Sequence, residues 1–212
     1  MAGTNENKHM KFRIAALLLS ALFFLQACSR KEYKNNFNDP ILFSNTVKEL
    51  NNVVMQNGFP PIIASRNYAY ACIAAYETVV LGDNRFQTLA GQIEHLPAMP
   101  KLDTAEVNFQ YASMLAFCKV GEAVTFPKGS MKEYVNRLDS IANADNMSAS
   151  MQEASKRLAD SVTSHILRWS KNDNYAQTRT AEKYNITNEE GRWVPTAPSY
   201  AQALEPHWNE IR

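Results

Sequence analysis

Apolar positions along this chain fall into two regimes. Ile14 to Leu25 is an apolar run interrupted only by Ser20. From Asp39 onward the apolar residues recur every three or four positions, the spacing of one face of an α-helix. Asp39-Pro40 reads as an N-cap with proline at the first helical position. Phe43, Val47, Leu50 and Val54 follow in register, and Asn57-Gly58 stops this helix. Pro60-Pro61 opens a second helix over Ile62 to Leu81. It is apolar on nearly every side and rich in alanine, so the pattern predicts a central, buried element. Gly82 to Leu102 reads as a long irregular connection with one short turn near Thr88–Gln92. Asp103-Thr104-Ala105-Glu106 resembles a capping box. It predicts a third helix bearing Val107, Tyr111, Met114, Leu115 and Cys118, ending before Pro127. A fourth helix is expected from Ser130, with Tyr134, Leu138 and Ile141 inward. A fifth is expected from Ser150 to about Lys171, with Leu158, Val162, Ile166 and Trp169 inward. Asp173 to Arg212 sustains no period. No strand alternation competes. The predicted class is all-α, about five helices in an irregular bundle over 39–172, followed by a long extended tail over 173–212.

The early apolar run changes the picture of the N-terminus. It is too short to span a bilayer comfortably and is preceded by basic Lys11 and Arg13, as in a secretory signal. It closes with Leu25-Gln26-Ala27-Cys28, which resembles a bacterial lipoprotein lipobox with Gln26 in place of the usual small residue. The expectation is a leader and lipoprotein signal over 1–27, with Met10 the natural start. Cleavage before Cys28, acylation of its thiol and a polar tether over 28–38 would follow. Ser29 after the cysteine points to export to the outer membrane, facing the periplasm. Processing removes Lys8, Lys11, Arg13 and Glu6, and the remaining body is nearly neutral. Lipid rather than charge would then hold it at a membrane, and composition carries no nucleic-acid footprint.

Candidate chemistry is sparse. Arg66, Tyr70 and Glu77 share one face of the apolar second helix and form a speculative buried polar cluster. Two readings stand open: a site for an anion or polar ligand, or a structural network. His9, His95, His165 and His207 are scattered without metal-ligand spacing. Cys72 and Cys118 sit on apolar helical faces and read as buried free thiols. No nucleophile elbow, phosphate loop or dinucleotide fingerprint occurs.

Three stretches carry a resemblance: Phe59 to Glu77, Trp169 to Tyr175, and Gly191 to Pro198 with Pro206-His207-Trp208. In order and spacing, the chain resembles the N-terminal helical half of bacterial vanadium-dependent haloperoxidase-like proteins. These belong to the type 2 phosphatidic-acid phosphatase superfamily and include lipoproteins. The resemblance implies an oxyanion, vanadate as cofactor or phosphate as substrate, held by three motifs: a lysine followed after six residues by Arg-Pro, then Pro-Ser-Gly-His, then Ser-Arg followed after five residues by histidine. None is present; Ser65-Arg66 is followed by Cys72 where the third motif needs histidine. No catalytic, cofactor-binding or metal-binding residue is therefore carried over. The expected function is the N-terminal portion of such an enzyme, inactive alone and completed by a separate C-terminal catalytic half, with Trp193 and Trp208 packing on that neighbour. The alternative is a self-sufficient helical lipoprotein acting as a binding or scaffold module in the cell envelope.

Overall fold

Asp39 caps the first helix as its sequence predicts: its carboxylate accepts from the Ile41 amide at 2.9 Å, and Pro40 occupies the first turn. In the computed structural model, which describes residues 32–187 and 189–212, this helix (α1) runs Pro40–Gln56. The apolar run, the lipobox-like stretch and Cys28 lie outside the described residues. Residues Asn35–Arg212 form one compact unit. It holds α2 (Pro61–Val80), α3 (Phe109–Ala123), α4 (Lys132–Ala144), α5 (Ala149–Ser170) and a single turn, α6 (Tyr175–Thr178). There are thus six helices and no strand among the described residues, one short turn more than the five expected. No described helix is long and apolar enough to cross a membrane.

The core centres on α3. Every residue from Tyr111 to Cys118 is buried, as are Val120 and Gly121. Helices α2 and α5 pack against it as its principal neighbours, with α1 alongside. The alanines of α2 (Ala64, Ala71, Ala74, Ala75) supply the small side chains that let α3 approach. Phe43 of α1 meets Phe117 edge-on at 5.9 Å. Gly121 marks the closest approach of α1 and α3: a β-carbon there would lie 2.9 Å from a Leu50 methyl.

Two expected helix starts move. The third helix does not begin at Asp103. Asp103 accepts the Ala105 amide at 3.0 Å in a local Asx turn, and Glu106 adopts a left-handed φ of 56°, which no helix can continue through. Asn108 is the true cap, accepting from the Tyr111 amide at 2.8 Å. Likewise Ser148, not Ser150, caps α5 through the Met151 amide at 3.1 Å. The thiols also divide. Cys118 is fully buried, and burial, aided by Glu49 and Glu122, pushes its pKa up to about 12. Cys72 is exposed, because it lines an open groove with Tyr76, Gln110 and Met114 instead of lying in the core.

The long connection after α2 is irregular but tied down. Tyr76 donates to the Gln87 carbonyl at 2.9 Å, Trp169 to the Glu94 carbonyl at 3.3 Å, and His165 to the Pro97 carbonyl at 3.0 Å. Leu96 is buried among these anchors.

Replacing Gly121 with valine should destabilise the fold by about 1–3 kcal/mol through overpacking against Leu50. Adding Leu50→Val should recover part of that loss. Urea unfolding of the two variants and their combination measures the coupling.

Candidate functional site

The polar face of α2 leads to a residue that helical spacing could not reveal. Arg66 donates through Nε to Asp173 Oδ2 at 2.6 Å, and the Tyr70 hydroxyl donates to the same oxygen at 2.7 Å. The other carboxylate oxygen accepts the Tyr175 amide at 3.0 Å. The Asp173 backbone carbonyl accepts the Arg212 amide at 3.1 Å. One residue just past the end of α5 therefore gathers α2, the α6 turn and the far end of the tail. Its side chain is 1 % exposed, and that of Arg66 is 12 % exposed.

Charge and aromatic groups interlock here. The Arg66 guanidinium lies 4.8 Å from the Tyr70 ring centre and 4.3 Å from that of Tyr175, a cation–π arrangement on two sides. Tyr70 meets Trp169 edge-on at 5.2 Å, and Arg212 stacks over Trp169 at 4.5 Å. Both arginines also serve the C-terminus of α5, where carbonyls lack helical partners. Arg212 donates to the Trp169 carbonyl at 2.9 Å and the Asn172 carbonyl at 3.4 Å; Arg66 reaches the Ser170 carbonyl at 3.5 Å.

The ionisation follows from these partners. Burial by itself would raise the Asp173 pKa. Hydrogen bonds from Arg66, the Tyr175 amide and Tyr70, with the Arg66 charge, outweigh it and hold the carboxyl below its usual range. Burial first, then the Asp173 contact, pushes the Tyr70 phenol up to about 12.

Glu77 takes no part in this cluster. It is buried about two turns beyond Tyr70 along α2, where its carboxylate accepts from Thr88 Oγ1 and the Leu89 amide, each at 2.7 Å, and fixes the turn near Thr88. His165 faces the long connection; His95 is exposed beside Glu94. Among the described residues no group of three His, Cys, Asp or Glu could hold a metal ion.

A groove of about 490 Å³ lies beside the cluster, walled by Arg66, Tyr70, Ile73, Trp169, Trp208 and Arg212. Trp208 is half-buried and lines this groove with residues of α2 and α5. Trp193 lies apart from it, 46 % exposed, with the Tyr184 ring 5.6 Å away. Asp173 was the functional-looking residue that helical periodicity passed over, being 107 positions from Arg66. The signal available was its place in the stretch Trp169 to Tyr175.

The fold and the cluster together define a helical bundle whose C-terminal segment returns to the end of its longest helix. No known family pattern matches the chain, and no curated protein does. Among solved structures it is similar to one described as the first bacterial vanadium-dependent iodoperoxidase, with a TM-score of 0.77 and 33% identity, over 86% of this chain and 44% of that one. The chain has the haloperoxidase-like fold, and it spans less than half the length of that relative.

Changing Asp173 to asparagine leaves Arg66 buried without a counter-ion and should cost about 3–5 kcal/mol. Tyr70→Phe removes one bond to a charged acceptor and should cost about 1.5–3 kcal/mol. The pH dependence has a definite sign. Because the folded pKa of Asp173 lies below the unfolded one, its contribution is full above the unfolded value and is lost as pH falls through the folded value. Unfolding free energies at neutral and acid pH should therefore converge for wild type and Asp173→Asn as the pH drops below about 4.

Proposed function

We propose that this chain is the N-terminal portion of a vanadium-dependent haloperoxidase or acid-phosphatase-like envelope lipoprotein, and that it is inactive alone. The supporting observation is the match to an iodoperoxidase at 33% identity that spans 86% of this chain but 44% of that protein. In this reading Cys28 is lipidated, the body is held at the periplasmic face of the outer membrane, and a C-terminal half carrying the oxyanion motifs completes the enzyme.

Vanadate, or phosphate as substrate, does not fit the residues at hand. An oxyanion cradle needs cations that are not already neutralised. Arg66 is paired with Asp173, Arg179 with Glu205, and the Arg212 guanidinium with two carbonyls of the α5 end. The three oxyanion motifs are missing from the sequence as well. No reaction step is assigned to this chain. Its role is to present a surface: Ile186, Trp193, Val194, Tyr200 and Leu204 of the tail are all largely exposed, a concentration of apolar side chains that suits burial against a partner.

One observation favours the self-sufficient module instead. The tail does not run off into solvent; its last residues return to Asp173 and Trp169. A delipidated Cys28→Ser form that is monomeric and unfolds in one cooperative transition supports that reading. Association or aggregation through the tail supports the incomplete enzyme.

Purified Cys28→Ser protein given vanadate, peroxide and bromide or iodide should oxidise no halide, and it should hydrolyse no generic phosphomonoester. Co-expression with a polypeptide that carries the three oxyanion motifs should produce a complex with activity. Turnover by the chain alone that is lost on changing Arg66 or His165 overturns the proposal. Labelling with a tagged fatty acid should mark the wild type and not Cys28→Ser.

A further inference from the structure

His207 sits in the tail with an acceptor on each ring nitrogen. Nδ1 lies 2.7 Å from Glu210 Oε1, and Nε2 lies 2.7 Å from the backbone carbonyl of Glu182. Neither acceptor brings a proton: a carbonyl oxygen has none, and a carboxylate has lost its own near neutrality. A neutral imidazole has a single N–H and can satisfy one of the two. The imidazolium donates to both. The geometry therefore selects the charged ring.

The place of this ring in the chain gives the arrangement a consequence. Glu182 lies in the outgoing arm of the tail. Glu210 lies in the short 3-10 turn Trp208–Glu210, which leads directly to Arg212 and its contacts with Asp173 and Trp169. His207 thus joins the two arms, next to a second cross-link between Arg179 and Glu205. Between them lies a cavity of about 390 Å³ with Tyr184, Trp193 and Lys183 in its walls. We propose that His207 is a proton-operated clamp: protonated, it holds the two arms of the tail together, and deprotonated, it releases them and alters the apolar tail surface around Ile186 and Trp193.

The charged groups around the ring agree with this. The Glu182 carbonyl contact, then the Glu210 carboxylate contact, raise the His207 pKa above its ordinary value and outweigh desolvation; the charges of Glu210 and Glu182 add to the rise. The nearby Arg179 is neutralised by Glu205, so the remaining opposing cation on the cavity wall is Lys183. A group whose folded pKa is raised contributes fully below its unfolded value, near 6.5 for histidine, and loses that contribution as pH rises through the folded value. The clamp is closed on the acid side and opens as the pH rises through the folded value of His207. It stands whether or not a second half completes an enzyme.

The test uses the full chain with Cys28→Ser to keep it in solution. The ring protons of His207 are followed by NMR across pH 5 to 9, together with tryptophan emission, since Trp193 and Trp208 lie on the two arms. His207 should titrate above 6.5, and the emission should shift over the same range. Glu210→Gln, which keeps the ring and the fold, should lower the His207 midpoint. His207→Gln should abolish the emission transition while leaving the α-helical circular dichroism unchanged. A His207 midpoint at or below 6.5, a midpoint unmoved by Glu210→Gln, or an emission transition that survives in His207→Gln overturns the clamp.

Discussion

The carboxylate of Asp173 is the constraint on which the later half of the molecule depends. A buried carboxylate is costly unless its lone pairs are filled and its charge is opposed. Arg66, Tyr70 and the Tyr175 amide meet both needs. Two donors come from α2 and the third from the turn that starts the tail, so satisfying one side chain fixes the relation of α2, the end of α5 and that turn. The same residue presents its carbonyl to the Arg212 amide. The path of the last forty residues is therefore set at both ends by one position, without a continuous apolar face along its length.

A second constraint comes from the C-terminus of α5. Helix ends leave carbonyls without partners, and the partial negative charge there favours cations. Arg66 and Arg212 supply guanidinium donors to that end, while aromatic rings of Tyr70, Tyr175 and Trp169 shield them. Two arginines thus serve the helix terminus, and one of them, Arg66, also pairs with the carboxylate just after it. This explains why the long connection is also ordered: Trp169, held in place by Arg212 and Tyr70, offers its indole N–H to the Glu94 carbonyl.

Local signals in the sequence foretold what local energies decide. The Asp39-Pro40 cap, the alanine-rich face of α2 and the inward positions Leu158, Val162, Ile166 and Trp169 of α5 all follow from propensity and period, and the all-α class with them. The failures arose where two local solutions compete. Asp103 has the right residue type for a cap, yet it forms its own two-residue turn, and a left-handed Glu106 then postpones the helix to Asn108. Long-range pairing was beyond reach. Helical spacing put Arg66, Tyr70 and Glu77 on one side of α2, but partners 107 and eleven positions away divide them: two go to Asp173, one to the turn at Thr88. Cys72 looked buried because a nearly uniform apolar helix does not say which of its faces meets the core.

How the chain uses its arginines bears on what it can do. Binding an oxyanion requires positive charge whose neutralisation is left to the ligand. In this bundle the guanidiniums near the Asp173 cluster are already engaged, by Asp173 for Arg66 and by carbonyls at the α5 end for Arg212; along the tail Glu205 answers Arg179. Freeing any of them would leave a carboxylate or a helix end without its donor. The cluster at the end of α5 is therefore built around internal pairing of its arginine donors. In the function proposed above, the chemistry comes from residues other than these, and the exposed side chains of the tail around Trp193 are the surface proposed to meet them.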